Sequence, residues 1–187
     1  MDDDDPACPL RPLPVAAVTV LLAVDPAPRL VAHLRAVHDV ACQLADWVAV
    51  QYPAVLIDRQ TIQLGAALHD IGKSRHPEEL VRPGSQHERD GYHLLLSHGI
   101  SESVAVIARD HASWNAPDVS TESLVVSLAD KVWKDQRIAG LEQCLIDRLV
   151  ALTGVEAWSI FAELDELLTS IGADAPSRLS FQSSYPA

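Results

Sequence analysis

The stretch GAALHDIGKSRHPEE, Gly65 to Glu79, runs small residues and a leucine straight into an adjacent imidazole and carboxylate, His69 and Asp70, with Gly72 and Lys73 just behind. Such an apolar approach reads as a buried helical turn, and a carboxylate taken out of water is costly unless it is paired or bound to a metal ion. The chain offers further groups of the same chemical kind in His38, His87, His111 and Asp130. His38 lies 31 residues before His69, His87 lies 17 beyond Asp70, and His111 and Asp130 follow after a further 24 and 19 residues. Each falls on a different predicted helix, and facing helices of a bundle build metal sites by converging side chains in this way. Mixed imidazole and carboxylate ligation suits Mn, Fe, Co, Ni or Zn better than an all-oxygen Mg site. Any one of these histidines alone reads as a core or surface residue; the set reads as a metal centre.

The elements that must position these groups are helical. RLVAHLRAVHDVACQLADWVAVQY, Arg29 to Tyr52, places Leu30, Leu34, Val37, Ala41, Leu44 and Val48 at three- and four-residue intervals, with His38 on or beside that stripe. His33, five positions earlier, then points elsewhere. Asp58 is a predicted N-cap for a helix that Gly72 stops, which puts His69 and Asp70 at its end. A loop at Arg82 to Gln86 precedes a helix with His87 near its start, and Ser101 opens another that carries Val104, Ile107 and His111. After NAPDVS come a helix containing Asp130 and two more around Gln143 to Leu152 and Val155 to Ile171. The expected architecture is all-α, a single domain of about six or seven helices over residues 15–172. Residues 1–14, acidic and Pro-rich, are expected as a flexible tail, and 173–187 as a loose C-terminal one.

Bulk properties narrow the classes. With 187 residues the chain can form one domain with a real core. A net charge of -12 argues against an electrostatic grip on polymeric nucleic acid, which needs clustered Lys and Arg. The apolar run Val15 to Val24 is too short for a bilayer, which takes roughly 20 residues, so it is expected to pack as helix or strand. The acidic N-terminus lacks a signal peptide's basic region, and the scattered Cys8, Cys42 and Cys144 lack metal or redox spacing, so a cytoplasmic protein with reduced thiols is expected.

HDIGK at His69 to Lys73 and LADK at Leu128 to Lys131, read with the upstream histidine, resemble the HD domain superfamily of metal-dependent phosphohydrolases, whose H...HD...D pattern is matched here by His38, His69, Asp70 and Asp130. HERDG at His87 and RDH at His111 are similar to the six-ligand branch, which holds two metals and includes dinucleoside-polyphosphate hydrolases and cyclic-dinucleotide phosphodiesterases. The resemblance implies an HD-type helical bundle and one or two divalent ions (Mn, Fe, Co, Ni, Zn or Mg). His38, His69, Asp70 and Asp130 would hold the first ion, and Asp70 would bridge to a second on His87 and His111. With a single ion, those two histidines would contact phosphate or move a proton, since imidazole titrates near neutral pH. Such ions neutralise the anionic oxygens that repel a nucleophile and acidify water.

The family usually carries a lysine where Lys73 stands, so Lys73 is expected either to receive substrate phosphate or to be a solvated charge, with Lys131, Arg75, Arg82, Lys134 and Arg137 as weaker candidates. His76, His93 and His98 match no family position. Trp114 is expected to pack at a core or rim, or to stack on a base. No GYP follows the HD motif, as in one cyclic di-GMP branch. Alarmone hydrolases usually carry an acidic pair soon after it, whereas Glu78 and Glu79 here lie further on. The expected substrate is a small phosphomonoester, nucleotide or dinucleoside polyphosphate. The alternative is a metal-binding sensor or protein-interaction module without turnover.

Overall fold

A computed structural model describes residues 9–186; of the tail expected at 1–14, residues 1–8 lie outside the described residues. Among these there is no strand, and the all-α expectation holds with nine helices rather than six or seven. They are α1 (Val15–Val24), α2 (Pro28–Gln51), α3 (Arg59–Leu68), α4 (Gln86–Ser97), α5 (Glu102–Asp110), α6 (Thr121–Val132), α7 (Ala139–Thr153), α8 (Ala157–Ala173) and α9 (Ala175–Ser183). Short 3-10 turns at Ile71–Ser74 and Pro77–Leu80 fill the passage from α3 to α4. No helix among the described residues is long and apolar enough to cross a membrane.

Local sequence explains the boundaries. Pro28 starts α2 at a position where its missing N–H has no helical partner anyway. The Asp58 carboxylate accepts from the backbone N–H groups of Gln60 and Thr61, the capping expected of it, and Ser120 caps α6 through Ser123. Ser101 precedes α5 without a side-chain cap bond.

Helices α2, α3 and α6 pack on one another, α5 bridges α3 and α4, α7 covers α6, α8 covers α7, and α9 lies on α2. Most buried apolar side chains divide between two cores, with Ala32 and Phe181 forming a small third cluster. One joins the later part of α2 to α3, α6, α7 and α8, and the other joins α1 and the start of α2 to α3, α4 and α5. Helix α2 belongs to both, so it is buried on nearly every face.

Two expected tails are packed segments where they are described. Arg11 reaches Asp46 at 2.7 Å, and its backbone N–H donates to Asp39. The Ser- and Pro-containing C-terminus forms α9, with Pro176 in its first turn, where proline is tolerated. Phe181 of α9 is buried against Ala32. The buried Arg178 guanidinium donates to the Trp133 carbonyl at 2.8 Å, just past the end of α6, and to that of Ile171 in the last turn of α8, so one side chain ties both helix ends together.

Candidate metal centre

Helix α3 ends at Leu68, a turn before the predicted stop at Gly72, and His69 follows in helical conformation. The His69 Nδ1 lies 3.0 Å from the Ala66 carbonyl, and His111, at the end of α5, repeats this with Ala108 at 3.1 Å. Because a carbonyl can only accept, Nδ1 carries a proton in both rings, and Nε2 is the ring atom left facing inward. His87 sits in the first turn of α4, where its Nδ1–H donates to Glu79. Gly72 lets α4 come this close: a Cβ there would land on the His87 carbonyl oxygen and 2.7 Å from the Gly91 nitrogen.

The result is two overlapping groups of potential ligands, His33 with His69, Asp70 and Asp130, and Asp70 with His87 and His111. Asp70 divides its two oxygens between them. Its Oδ2 is 3.2 Å from His33 Nε2 and 3.6 Å from His69 Nε2, while its Oδ1 is 3.1 Å from His87 Nε2 and 3.5 Å from His111 Nε2. Asp130 Oδ1 faces His33 and His69 at 3.4 and 3.5 Å.

His38 is the correction. The structure brings five of the six expected ligands together and supplies His33 instead as the upstream histidine. Five positions on a helix turn the side chain by about 140°, so His33 and His38 cannot face one site. The His38 imidazole instead sits 3.6 Å from the Cys42 thiol, one turn on, in a hollow with Arg11, Pro12, Pro14 and Gln63. Its place on the apolar stripe misleads because α2 is buried all round, so the stripe does not say which side holds the site. Glu79 was also missed as a site residue.

These residues fit a divalent ion. Asp70 Oδ1, His69 Nε2 and His87 Nε2 are buried without a hydrogen-bond partner, a costly state for polar atoms unless something else satisfies them. Burial pulls the Asp70 carboxyl upward, yet His69, His33, His87 and His111 outweigh it and hold it well below the usual range. Asp130 behaves likewise, burial opposing and His33 and His69 prevailing. Both therefore stand as carboxylates. Burial pushes His111 down to about 4, against the pull of Asp70, so its imidazole is neutral, the form that ligates metals.

Two ammonium groups border the site. Lys73 Nζ is 2.6 Å from Asp70 Oδ2, and Lys131 Nζ is 2.7 Å from Asp130 Oδ2. The histidines that match no family position stay outside both groups: His76 pairs with Asp90 at 2.7 Å, and His93 and His98 are exposed. Trp114 is half-buried against the core, its ring filling the space above Gly140. Trp133, three residues beyond Asp130 at the end of α6, packs edge-on against His33 with ring centres 5.1 Å apart.

With this geometry in hand, a family model described as "HD domain" matches residues 30–133, which contain every residue of both groups. The chain belongs to the HD-domain family. Over 81 residues it is 35% identical to the uncharacterized protein MJ0778 of Methanocaldococcus jannaschii, a match that covers 43% of this chain and 43% of that protein. The HD domain of the L. monocytogenes phosphodiesterase PgpH superposes with a TM-score of 0.52 at 16% identity, covering 85% of this chain and 98% of that one. The same domain in complex with cyclic-di-AMP gives 0.53 at 17%, covering 87% and 99%. At such identity the likeness to PgpH is one of fold, an HD-domain bundle in both.

Proposed function

We propose that this chain is a two-metal phosphohydrolase acting on a small phosphate ester, nucleotide or dinucleotide. His33, His69, Asp70 and Asp130 would hold one ion, and Asp70, His87 and His111 the other. The observation that carries this reading is the division of Asp70, one oxygen toward each group of imidazoles. When bound, divalent ions supply Lewis acidity at a phosphoryl oxygen and water acidic enough to attack it at neutral pH.

The chain's own residues do the rest. The Asp70 and Asp130 carboxylates offset cationic charge where burial would otherwise disfavour it. Backbone carbonyls hold His69 and His111 in a single tautomer, so neither ring has to reorganise during reaction. Lys73 and Lys131 already lie beside Asp70 and Asp130, at the edge where an anionic substrate would arrive, and each can turn an ammonium toward phosphate. The small-phosphate reading follows from HD-family membership and from the -12 net charge, which disfavours a polyanionic polymer. The cyclic-di-AMP complex of the PgpH domain makes cyclic dinucleotides one class to include beside linear nucleotides and phosphomonoesters. A complete ligand set favours turnover over a sensor role.

Chelator-stripped protein, reloaded in turn with Mn, Fe, Co, Ni, Zn and Mg and assayed against a panel of phosphate esters, mononucleotides, dinucleoside polyphosphates and cyclic dinucleotides, tests the proposal. Two bound ions and metal-dependent phosphate release are expected. Ion uptake without release from any member of the panel would favour the sensor module.

A further inference from the structure

Among the metal-facing imidazoles, His87 is held differently. His69 and His111 each donate Nδ1–H to a neutral backbone carbonyl, whereas His87 donates to the Glu79 carboxylate. Glu79 is 8% exposed on the 3-10 turn Pro77–Leu80, beside an exposed Glu78. Both of its oxygens are engaged at the start of α4, Oε1 with the Gln86 N–H at 3.0 Å and Oε2 with the His87 N–H at 3.2 Å. Gly84 closes over it, and a Cβ at that position would collide with the Glu79 carboxyl. One buried carboxylate thus fixes both the backbone and the ring of His87.

The two ligand groups are unequal without it. The first has two carboxylates and two imidazoles, while the second has two imidazoles and only a share of Asp70. A charge-assisted hydrogen bond to the far nitrogen of an imidazole raises the donor strength of the near one and locks the ring's direction. An anion directly behind His87 also adds negative charge on the poorer side.

We propose that Glu79 sets the affinity of the second ion, as a positioning residue acting through His87. This rests on the two-metal reading above and adds to it a residue outside the ligand set that makes the second position usable.

Cobalt(II) added to chelator-stripped protein, followed by calorimetry and by the visible absorption of bound cobalt, tests it with Glu79→Gln, Glu79→Asp and the neighbouring Glu78→Gln. Gln retains an oxygen for the helix cap but not the charge, and Asp retains the charge but is one methylene too short to serve cap and ring together. The expected result for Glu79→Gln is an unchanged first Kd and a second Kd weakened by about 10–100-fold. Glu79→Asp should weaken the second Kd in the same direction, and Glu78→Gln should match the parent. A purely structural Glu79 would lower the Tm of the stripped variants while both dissociation constants stay at parental values, and that result overturns the proposal; so does an equal weakening of both. If Glu79→Gln fails to fold, the same outcomes are read from Glu79→Asp. A parent protein that takes up one cobalt overturns the two-metal reading together with it, whereas two cobalt ions and an unaffected second Kd overturn the Glu79 role alone.

Discussion

Asp70 Oδ1 and His87 Nε2 lie 3.1 Å apart, both buried, and no hydrogen bond joins them. Two buried polar atoms left unbonded at this separation suit a shared cation, while the other carboxylate oxygen, Oδ2, faces His33 and His69 and accepts from Lys73. Asp70→Asn keeps size and hydrogen-bonding capacity and removes the charge. Its metal affinity should fall by more than the roughly 10–100-fold typical of losing an outer partner, and activity should fall with it. The fold should survive on Leu68, Ile71 and their neighbours. Parental metal content and parental activity in this variant would end the enzyme reading.

The exchange of His38 for His33 is directly testable. His33→Ala should lower metal content and activity, while His38→Ala should leave metal content intact and cost stability through a cavity beside Cys42. Elemental analysis of both purified variants decides it, and the reverse pattern would restore His38 as a ligand.

Lys73→Met removes an ammonium 2.6 Å from Asp70 while keeping a long apolar stem. Two bound ions should remain, and KM for phosphorylated substrates should rise more than kcat falls, as for loss of a contact made in both ground and transition states. A drop in kcat at constant KM would instead assign Lys73 to the transition state alone.

Gly72→Ala probes the close approach of α4. The added methyl has no free space against the backbone of His87 and Gly91, so the expected destabilisation is on the order of 3 kcal/mol, the upper range for overpacking. Denaturant unfolding of stripped protein measures it, and a loss below about 0.5 kcal/mol would show that the two segments separate easily.

Acid should reveal His38. Burial lowers its pKa to about 4, with Asp39 raising and Arg11 lowering it to smaller extents. The folded state therefore refuses a proton that the unfolded chain accepts near 6.5. Above 6.5 the group is neutral in both states; as pH falls from 6.5 toward 4 it lowers stability by up to about 3 kcal/mol. His38→Gln should flatten the stability–pH curve of stripped protein in that window, and an unchanged slope would show that the imidazole is protonated in the folded state.

Much of this architecture can be read from the chain. His69, Asp70, His87, His111 and Asp130 stand at helix ends or beside polar breaks, where periodicity stops and a ligating side chain is conspicuous. His33 and His38 lie inside a 24-residue helix that belongs to two cores, and there hydrophobic periodicity loses its directional meaning. Glu79 is hidden for another reason: its exposed twin Glu78 has the same composition, and only the fold of the turn puts one carboxylate inside. Helix α9 escapes because its anchors, Phe181 and Arg178, gain their value from α2, α6 and α8, far away in sequence.

The residues proposed as ligands come from five separate segments, spread from His33 near the start of α2 to Asp130 near the end of α6. An ion held by either group, each drawn from three segments, would recognise the assembled chain and have no comparable site in the unfolded one. By mass action, a free ion at a thousand times its Kd adds about 4.1 kcal/mol to the folding free energy of the whole domain, a sizeable part of the 5–15 kcal/mol typical of natural domains. On the two-metal reading, thermal resistance in this protein should follow the surrounding metal concentration as well as its packing.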